Sequence, residues 1–496
     1  MEPSFSLKPL LAVLVSLLAA VLILLSGKRP NLREFWTILA AFLKLGIIVS
    51  MLPFVLEGGV PGLKLFDLSP GIALAFRVDP LGMAFAVSAS LLWVLTSFFS
   101  IGYMRSLKEK KQSRYFASFA LCLSATIGIA FSANLLTFFI FYEVLTIATY
   151  PLVIHKETPE AIAAGRKYLT YLLTAGLALL AATAWTYSMA GSGDFVPGGV
   201  LSRQMGESSL MILFVLFVLG VGTKSALLPL HSWLPSAMVA PAPVSALLHA
   251  VAVVKAGVFG FARVIGFVFG PGLLEELGAL TWLAALAGLT IVVASLLAMA
   301  EDNLKLRLAY STIGHLSYIV LGITFLAPSA WAGGLFHIVA HAVMKITLFF
   351  CAGAIYAKTH LERVSQLDGL GKKMPLTLGA FAVASLGLAG VPPVVGFLSK
   401  WYLALGMIET QQLIPLFVLL LSGLLNAGYL LPVVSRAFFK SAPQDYSFDE
   451  PSAFMVVPLL LTAALSLLLG VWPNAVFHFY QLTSHSVSAV LGGGVP

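Results

Sequence analysis

The chain has 496 residues, 59% of them hydrophobic and only 10% charged, with a mean hydropathy of +0.97. Soluble domains carry about 25% charged residues, so these values exclude a water-soluble fold and define an integral membrane protein. The net charge of +8 would suggest a nucleic-acid partner in a soluble protein. Here an excess of Lys and Arg in loops on one side of the membrane accounts for it, and no nucleic acid is expected. Cys122 and Cys351 each stand alone in an apolar run. With no CxxC pattern or Cys/His cluster, no iron–sulfur or zinc site and no cofactor is expected in this chain, so electron transfer would belong to a partner.

The first apolar run, residues 9–26, lacks a small-residue cleavage site and is followed by GKRP. It reads as a spanning helix, not a removed signal. Apolar windows of about 20 residues give fourteen spans. In chain order they are 8–26, 35–56, 80–101, 115–132, 134–154, 162–190, 208–239, 241–267, 277–300, 306–326, 330–357, 375–408, 412–436 and 452–475. The segment 57–79 reads as a small structured cap outside the membrane. Spans seven and twelve are interrupted, at LLPLHSWLP (Pro229) and GLAGVPPVVGF (Pro392, Pro393). The expected fold is all-α, with domains at 1–114, 115–267, 268–440 and 441–496.

With the amino terminus outside, the inner loops hold 19 of the 29 Lys and Arg, and Lys8, Lys64, Arg77, Arg203 and Arg263 lie outside. This asymmetry predicts a multi-pass protein of the cell membrane with both termini outside. Glu143 in span five precedes Lys224 in broken span seven; His315 in span ten precedes Lys400 in broken span twelve. Five spans separate each feature from its mate, so corresponding helices run oppositely. The expectation is an inverted repeat of five helices, spans 4–8 against 9–13; no letter-by-letter similarity accompanies it.

Glu143, in LLTFFIFYEVLTIATYPLV, is the carboxylate deepest in any span. Buried intramembrane acids mark ion pathways, the bland alternative being a salt bridge for packing. Lys224 costs about 3 kcal/mol on insertion scales. Burial favours its neutral amine and a nearby carboxylate restores the ammonium, so a moving Glu143–Lys224 contact would capture or release a proton. Snorkelling to an interface is the alternative, and Pro229 argues against it by freeing backbone groups that need a hydrated pocket. Lys255, in LLHAVAVVKAGVFG, needs water or a protonatable neighbour; His249 lies six residues earlier, on another face, with packing and proton roles both open. FHIVAHAVMKITLFF sets His337, His341 and Lys345 on one stripe. Two histidines at that spacing could hold haem or a metal, but without a second ligand set a hydrated proton wire fits better. His315 can exchange protons without carrying permanent charge. Lys400 follows the second break, while Lys44 lies outside the repeat and is expected to snorkel or to meet a neighbouring subunit.

With FYEVLTIATYPL, GTKSALLPLHSWLPSAMVAPAPVSALLHA, VVKAG and GVPPVVGFLSKW in hand, the chain resembles the antiporter-like proton-translocating family. Its members are the large membrane subunits of respiratory complex I, of Mrp-type cation/proton antiporters and of membrane-bound hydrogenases. The resemblance implies fourteen helices, two inverted five-helix repeats and broken helices seven and twelve. It also implies Glu143 and Lys224 as the central pair of a first half-channel and Lys255 as the connecting lysine. His315, His337, His341 and Lys345 become the second relay, and Lys400 the terminal residue. An Mrp D-type subunit or its counterpart in a hydrogenase-like complex fits best, because the long lateral helix of the largest paralogue is missing.

The expected function is therefore proton translocation within a complex of other membrane subunits, with sodium as a second candidate ion and the bilayer as surroundings. A self-sufficient cation or solute transporter is the alternative. A lipid-directed enzyme lacks any acid pair or metal set in the spans, and a scaffold would not need five lysines at membrane depth.

Overall fold

The computed structural model describes residues 3–69, 71–442 and 449–492. A two-residue strand β1 (Ser4–Phe5) precedes α1 (Lys8–Leu25) and α2 (Pro30–Val49). The short α3 (Leu52–Leu56) then leads into β2 (Pro61–Ser69) and β3 (Ile72–Arg77). β1 runs parallel to β2, and β2 antiparallel to β3, so the expected cap is a three-stranded sheet. It marks the sheet face of the bundle; the basic loops lie at the opposite, basic face.

Next come α4 (Pro80–Ser106), α5 (Gln112–Ala130), α6 (Leu135–Val153), α7 (Pro159–Ala190) and α8 (Glu207–Lys224). The chain breaks after Lys224, resumes in α9 (Trp233–Ser236), and returns through α10 (Ala242–Ala246) and α11 (Val253–Arg263). π turns at Leu247–Val251 and Val264–Phe269 flank α11. The short α12 (Pro271–Glu276) joins α13 (Ala279–Ala300), α14 (Leu304–Gly322) and α15 (Pro328–Thr359). The second break separates α16 (Pro375–Ala389) from α17 (Val395–Glu409). The remaining helices are α18 (Leu413–Phe439), α19 (Ala453–Val471) and α20 (Phe479–Leu491). Leu228–Pro229 and Pro392–Pro393, one at each break, are cis peptides.

Twelve helices among the described residues are long and apolar enough to cross a membrane. The two expected spans beyond these are α14, made more polar by Lys305, Arg307 and a run of hydroxyl and histidine side chains, and the divided pair α16 and α17. Two spans have their apolar cores wholly enclosed by the others, those of Ala242–Phe269 and Pro328–Thr359. They carry His249, Lys255, His337, His341 and Lys345, so five of the predicted residues lie at the centre of the bundle.

Helix starts follow the local sequence. Asp79, Asn134, Thr158 and Asn303 cap α4, α6, α7 and α14, each side chain accepting a backbone N–H three residues on. The bounds also recur. α14 begins 169 residues after α6 with the same 19-residue length, and α15 begins 169 residues after α7 with the same 32-residue length. The capping residues Asn134 and Asn303 each form a β-bridge to the loop beyond the next helix, to Asp194 and Arg363 respectively.

This spacing corrects two pairings. Glu143 is the ninth residue of α6 and His315 the twelfth of α14, so His315 does not take the place of Glu143; Thr312 does. Lys224 ends the helix before its break, whereas Lys400 lies within the helix after its own.

One outlying cation is also corrected. Lys44 neither snorkels nor faces outwards: it is fully buried, donates to the Leu123 carbonyl at 2.9 Å and lies 5.0 Å from the Trp93 ring centroid. Arg263 is 1% exposed and forks onto Asp79, just beyond β3, with Nη2 donating to Oδ1 at 2.8 Å and Nη1 to Oδ2. Burial raises the Asp79 carboxyl, but the Arg263 charge and hydrogen bonds, the Arg77 charge and the Gly82 amide outweigh it and hold that carboxyl below its usual range. Finally, α20 was not anticipated; Phe479, Leu482, Thr483, Ser486 and Val487 bury one of its faces, and the helix packs on α4 and α15.

Candidate functional site

At the first break, Lys224 is fully buried at the end of α8. Its ammonium donates to the Tyr142 carbonyl and sits 3.3 Å from the centroid of the Tyr142 ring. The Tyr142 hydroxyl in turn donates to the Gly220 carbonyl at 3.1 Å, clamping α6 to α8. The indole of Trp233 donates to the Thr223 carbonyl at 2.8 Å, satisfying a group that the break leaves open.

Glu143, next to Tyr142, turns the other way. It is half-buried against α7, where Gly176 makes room: a Cβ there would fall 2.6 Å from Oε1. Oε1 has no hydrogen-bond partner, and among the described residues no ion pair joins Glu143 to Lys224 within 4.0 Å. The expected contact is therefore open; Lys224 grips the backbone and ring of the residue beside the acid instead.

The break abuts α11. A Cβ on Gly257 would fall 2.5 Å from the Ser225 amide nitrogen, so only glycine lets the two backbones meet, two residues from Lys255. Lys255 is 1% exposed, and its Nζ lies 2.8 Å from His341 Nδ1 across the two enclosed spans. This is the protonatable neighbour that its position demands. His249, in the π turn before α11, stacks at 4.8 Å on Phe349, and neither ring nitrogen has a partner. Lys345 donates to the Leu308 carbonyl on α14 at 3.2 Å.

Beside His341, whose Nε2 has no partner, a second set of contacts forms a directed chain. His315 Nδ1 is 3.1 Å from His337 Nε2, and His337 Nδ1 is 2.8 Å from Ser399 Oγ. The Ser399 hydroxyl donates to the Gly396 carbonyl at 3.1 Å. At the other end, Asn426 Nδ2 is 3.3 Å from His315 Nε2. An amide nitrogen can only donate, so His315 carries its proton on Nδ1 and gives it to His337 Nε2; His337 then carries its proton on Nδ1, towards Ser399. The three histidine rings lie within 5.9 Å of one another, centroid to centroid. Lys400, 9% exposed, donates to the Leu388 and Ala389 carbonyls at 2.6 and 3.3 Å, groups released by the break between α16 and α17.

The structure thus joins Lys255 to His341 and His315 to His337, and brings Lys400 to the same carbonyl as Asn426. It leaves Glu143, Lys224 and His249 without a direct hydrogen bond to that group. Reading the sequence missed Tyr142, Ser399, Asn426, Tyr318 and Tyr429. Among the described residues no group of three or more His, Cys, Asp and Glu could hold a metal ion. The rings of His337 and His341 meet Lys255, His315 and Ser399.

A many-helix membrane protein with lysines and histidines in contact at its centre is the class that fold and site define. The chain belongs to the family described as NADH:quinone oxidoreductase/Mrp antiporter membrane proteins, whose sequence pattern matches residues 132–425. It is 33% identical over 422 residues to NADH-quinone oxidoreductase subunit N of Desulforudis audaxviator, covering 81% of this chain and 83% of that one. It is 26% identical over 477 residues to the D-type subunit of the Na(+)/H(+) antiporter of Alkalihalophilus pseudofirmus, covering 95% of each. A chain in the structure of the Mrp complex from a Dietzia species superposes with a TM-score of 0.88 at 21% identity, over 98% of both chains, and so shares the fold.

Proposed function

We propose that this chain is a proton-translocating subunit of a multi-subunit membrane complex, of the cation/proton antiporter or redox-driven kind. It would sit in the cell membrane with the sheet face outside and the basic face in the cytoplasm, as the loop charges favour. The observation that carries the reading is the buried contact set Lys255–His341 and His315–His337–Ser399. Burying so many ionisable groups is costly, and a packed helix bundle has no structural need of them. The recurring bounds of α6, α7, α14 and α15 favour two related halves.

Protons enter from the cytoplasm near Lys224 and Lys255, cross along the histidines and leave near Lys400. Glu143, with an unpartnered oxygen two helices from Lys224, is poised to draw that ammonium away from Tyr142 when a proton is loaded. No cofactor of its own is required for this chemistry.

The test is proton transport by the complete complex in sealed vesicles. Glu143→Gln and Lys224→Ala should each abolish coupled transport while the complex still assembles. Normal pumping with either substitution would defeat the reading. The subunits that co-purify distinguish an antiporter, with small membrane partners, from a redox pump with a quinone-reducing or hydrogenase-like arm.

A further inference from the structure

Asn426 on α18 is 1% exposed and stands between the histidine pair and the second break. Its amide nitrogen has two protons but faces three acceptors: His315 Nε2 at 3.3 Å, the Tyr318 hydroxyl at 3.2 Å and the Leu388 carbonyl at 3.1 Å. The orientation is held from behind, where the Tyr429 hydroxyl donates to Oδ1 at 2.6 Å and lies 2.7 Å from Ser311 Oγ. The nitrogen end must therefore face the histidine. The Leu388 carbonyl already accepts from the Lys400 ammonium at 2.6 Å, so the lysine and the amide compete for one oxygen.

We propose that Asn426 is a positioning residue that acts as a valve, admitting a proton through His315 only when Lys400 is discharged. A relay through imidazole uses both ring nitrogens in turn. While the amide donates to Nε2, that nitrogen cannot carry a proton and the ring conducts in neither direction. A charged Lys400 occupies Leu388, weakens it as an acceptor and keeps the amide on Tyr318 and His315. When Lys400 gives up its proton and releases Leu388, the amide turns to Leu388 and Tyr318. Nε2 is then free, and His315 can adopt its Nε2–H form, whose bare Nδ1 accepts a proton from the Nε2–H of a doubly protonated His337 while Nε2 passes its own proton onward. Each proton that leaves Lys400 thus permits one to follow, and a loaded Lys400 is barred from returning its proton to the histidines.

This valve rests on the proton path proposed above. Its test measures passive proton back-flow through the complete complex in vesicles under an imposed gradient, without energisation. Asn426→Leu keeps the volume and removes both donors, and should raise back-flow about ten-fold, the factor one ordinary hydrogen bond governs. In a Lys400→Met background, which cannot hold Leu388, the same substitution should add nothing further. Tyr429→Phe frees the amide to rotate and should raise back-flow in the same direction by less. Wild-type back-flow in assembled N426L, or an equal rise with and without Lys400, would overturn the valve. If N426L does not assemble, unchanged back-flow in Y429F overturns it instead. His315→Ala separates the two ideas: normal conduction without that ring removes the proton path itself. Blocked conduction together with tight N426L removes the valve alone.

Discussion

Gly176→Ala should separate function from stability at one atom. Gly176 lies inside α7, where alanine is favoured over glycine by about 1 kcal/mol of helix propensity. The added Cβ would fall 2.6 Å from Glu143 Oε1, 2.7 Å from its carboxyl carbon and 2.9 Å from Oε2. The three nearest atoms all belong to that carboxyl, so the clash is relieved by rotating the end of one flexible side chain. Restoring an ordinary contact of 3.4 Å moves Oε1 by about 0.8 Å. A displacement of that size at a reacting group can cost about 100-fold in rate. Coupled proton transport should therefore fall by about ten- to a hundred-fold, while the complex melts at or slightly above the wild-type temperature. The assay is transport in vesicles beside a melting curve of the same preparation. Wild-type transport in G176A would refute the placement of Glu143 as a functional acid; loss of transport with loss of assembly would refute the claim that the clash is local.

Two further expectations concern the ends of the bundle. Arg263→Leu strands the Asp79 carboxylate in a largely buried setting and should destabilise the complex by about 3–5 kcal/mol, whereas the double variant with Asp79→Asn should recover most of it; equal melting of the single and double variants would show that the pair is not coupled. His155, just beyond α6, is held down to about 4, first by burial and then by the Arg114 charge, with Lys156 and Lys111 adding to it and Glu157 opposing. Its value in an unfolded chain is about 6.5, so between these values the unfolded chain binds the extra proton and stability falls as pH drops from about 6.5 towards 4. Replacing His155 with Gln should flatten melting temperature against pH in that window, and an unchanged slope would place the dependence elsewhere.

What the sequence disclosed was anything that violates its surroundings. A lysine or glutamate in an apolar run declares itself by its cost, and Pro229, Pro392 and Pro393 mark broken helices because proline removes a donor. Asn426, Ser399 and Tyr142 make no such declaration. Hydroxyl and amide side chains are ordinary in membrane helices, and their importance arises from partners distant in the chain, 62 residues away for Ser399 on His337 and 111 for Asn426 on His315. The open Glu143–Lys224 gap was equally hidden, since helix spacing says which spans meet but not which way a side chain turns within them. Arg263 makes the same point, since its burial rests on Asp79, 184 positions earlier.

The matched lengths of α6 with α14 and α7 with α15 have an electrical consequence. The residue 169 positions after Gly176 is Lys345. In the first half, α7 leaves that address empty of side chain and α6 leans an acid into it. In the second, α15 fills it with an amine that reaches back to α14. Positions matched by this 169-residue spacing are thus occupied from opposite helices by groups of opposite ionisable character. On the proposed reading of two related halves, they form an asymmetric pair, an acid cell beside a base cell, and a proton moving between them would meet a gradient fixed in the covalent chain.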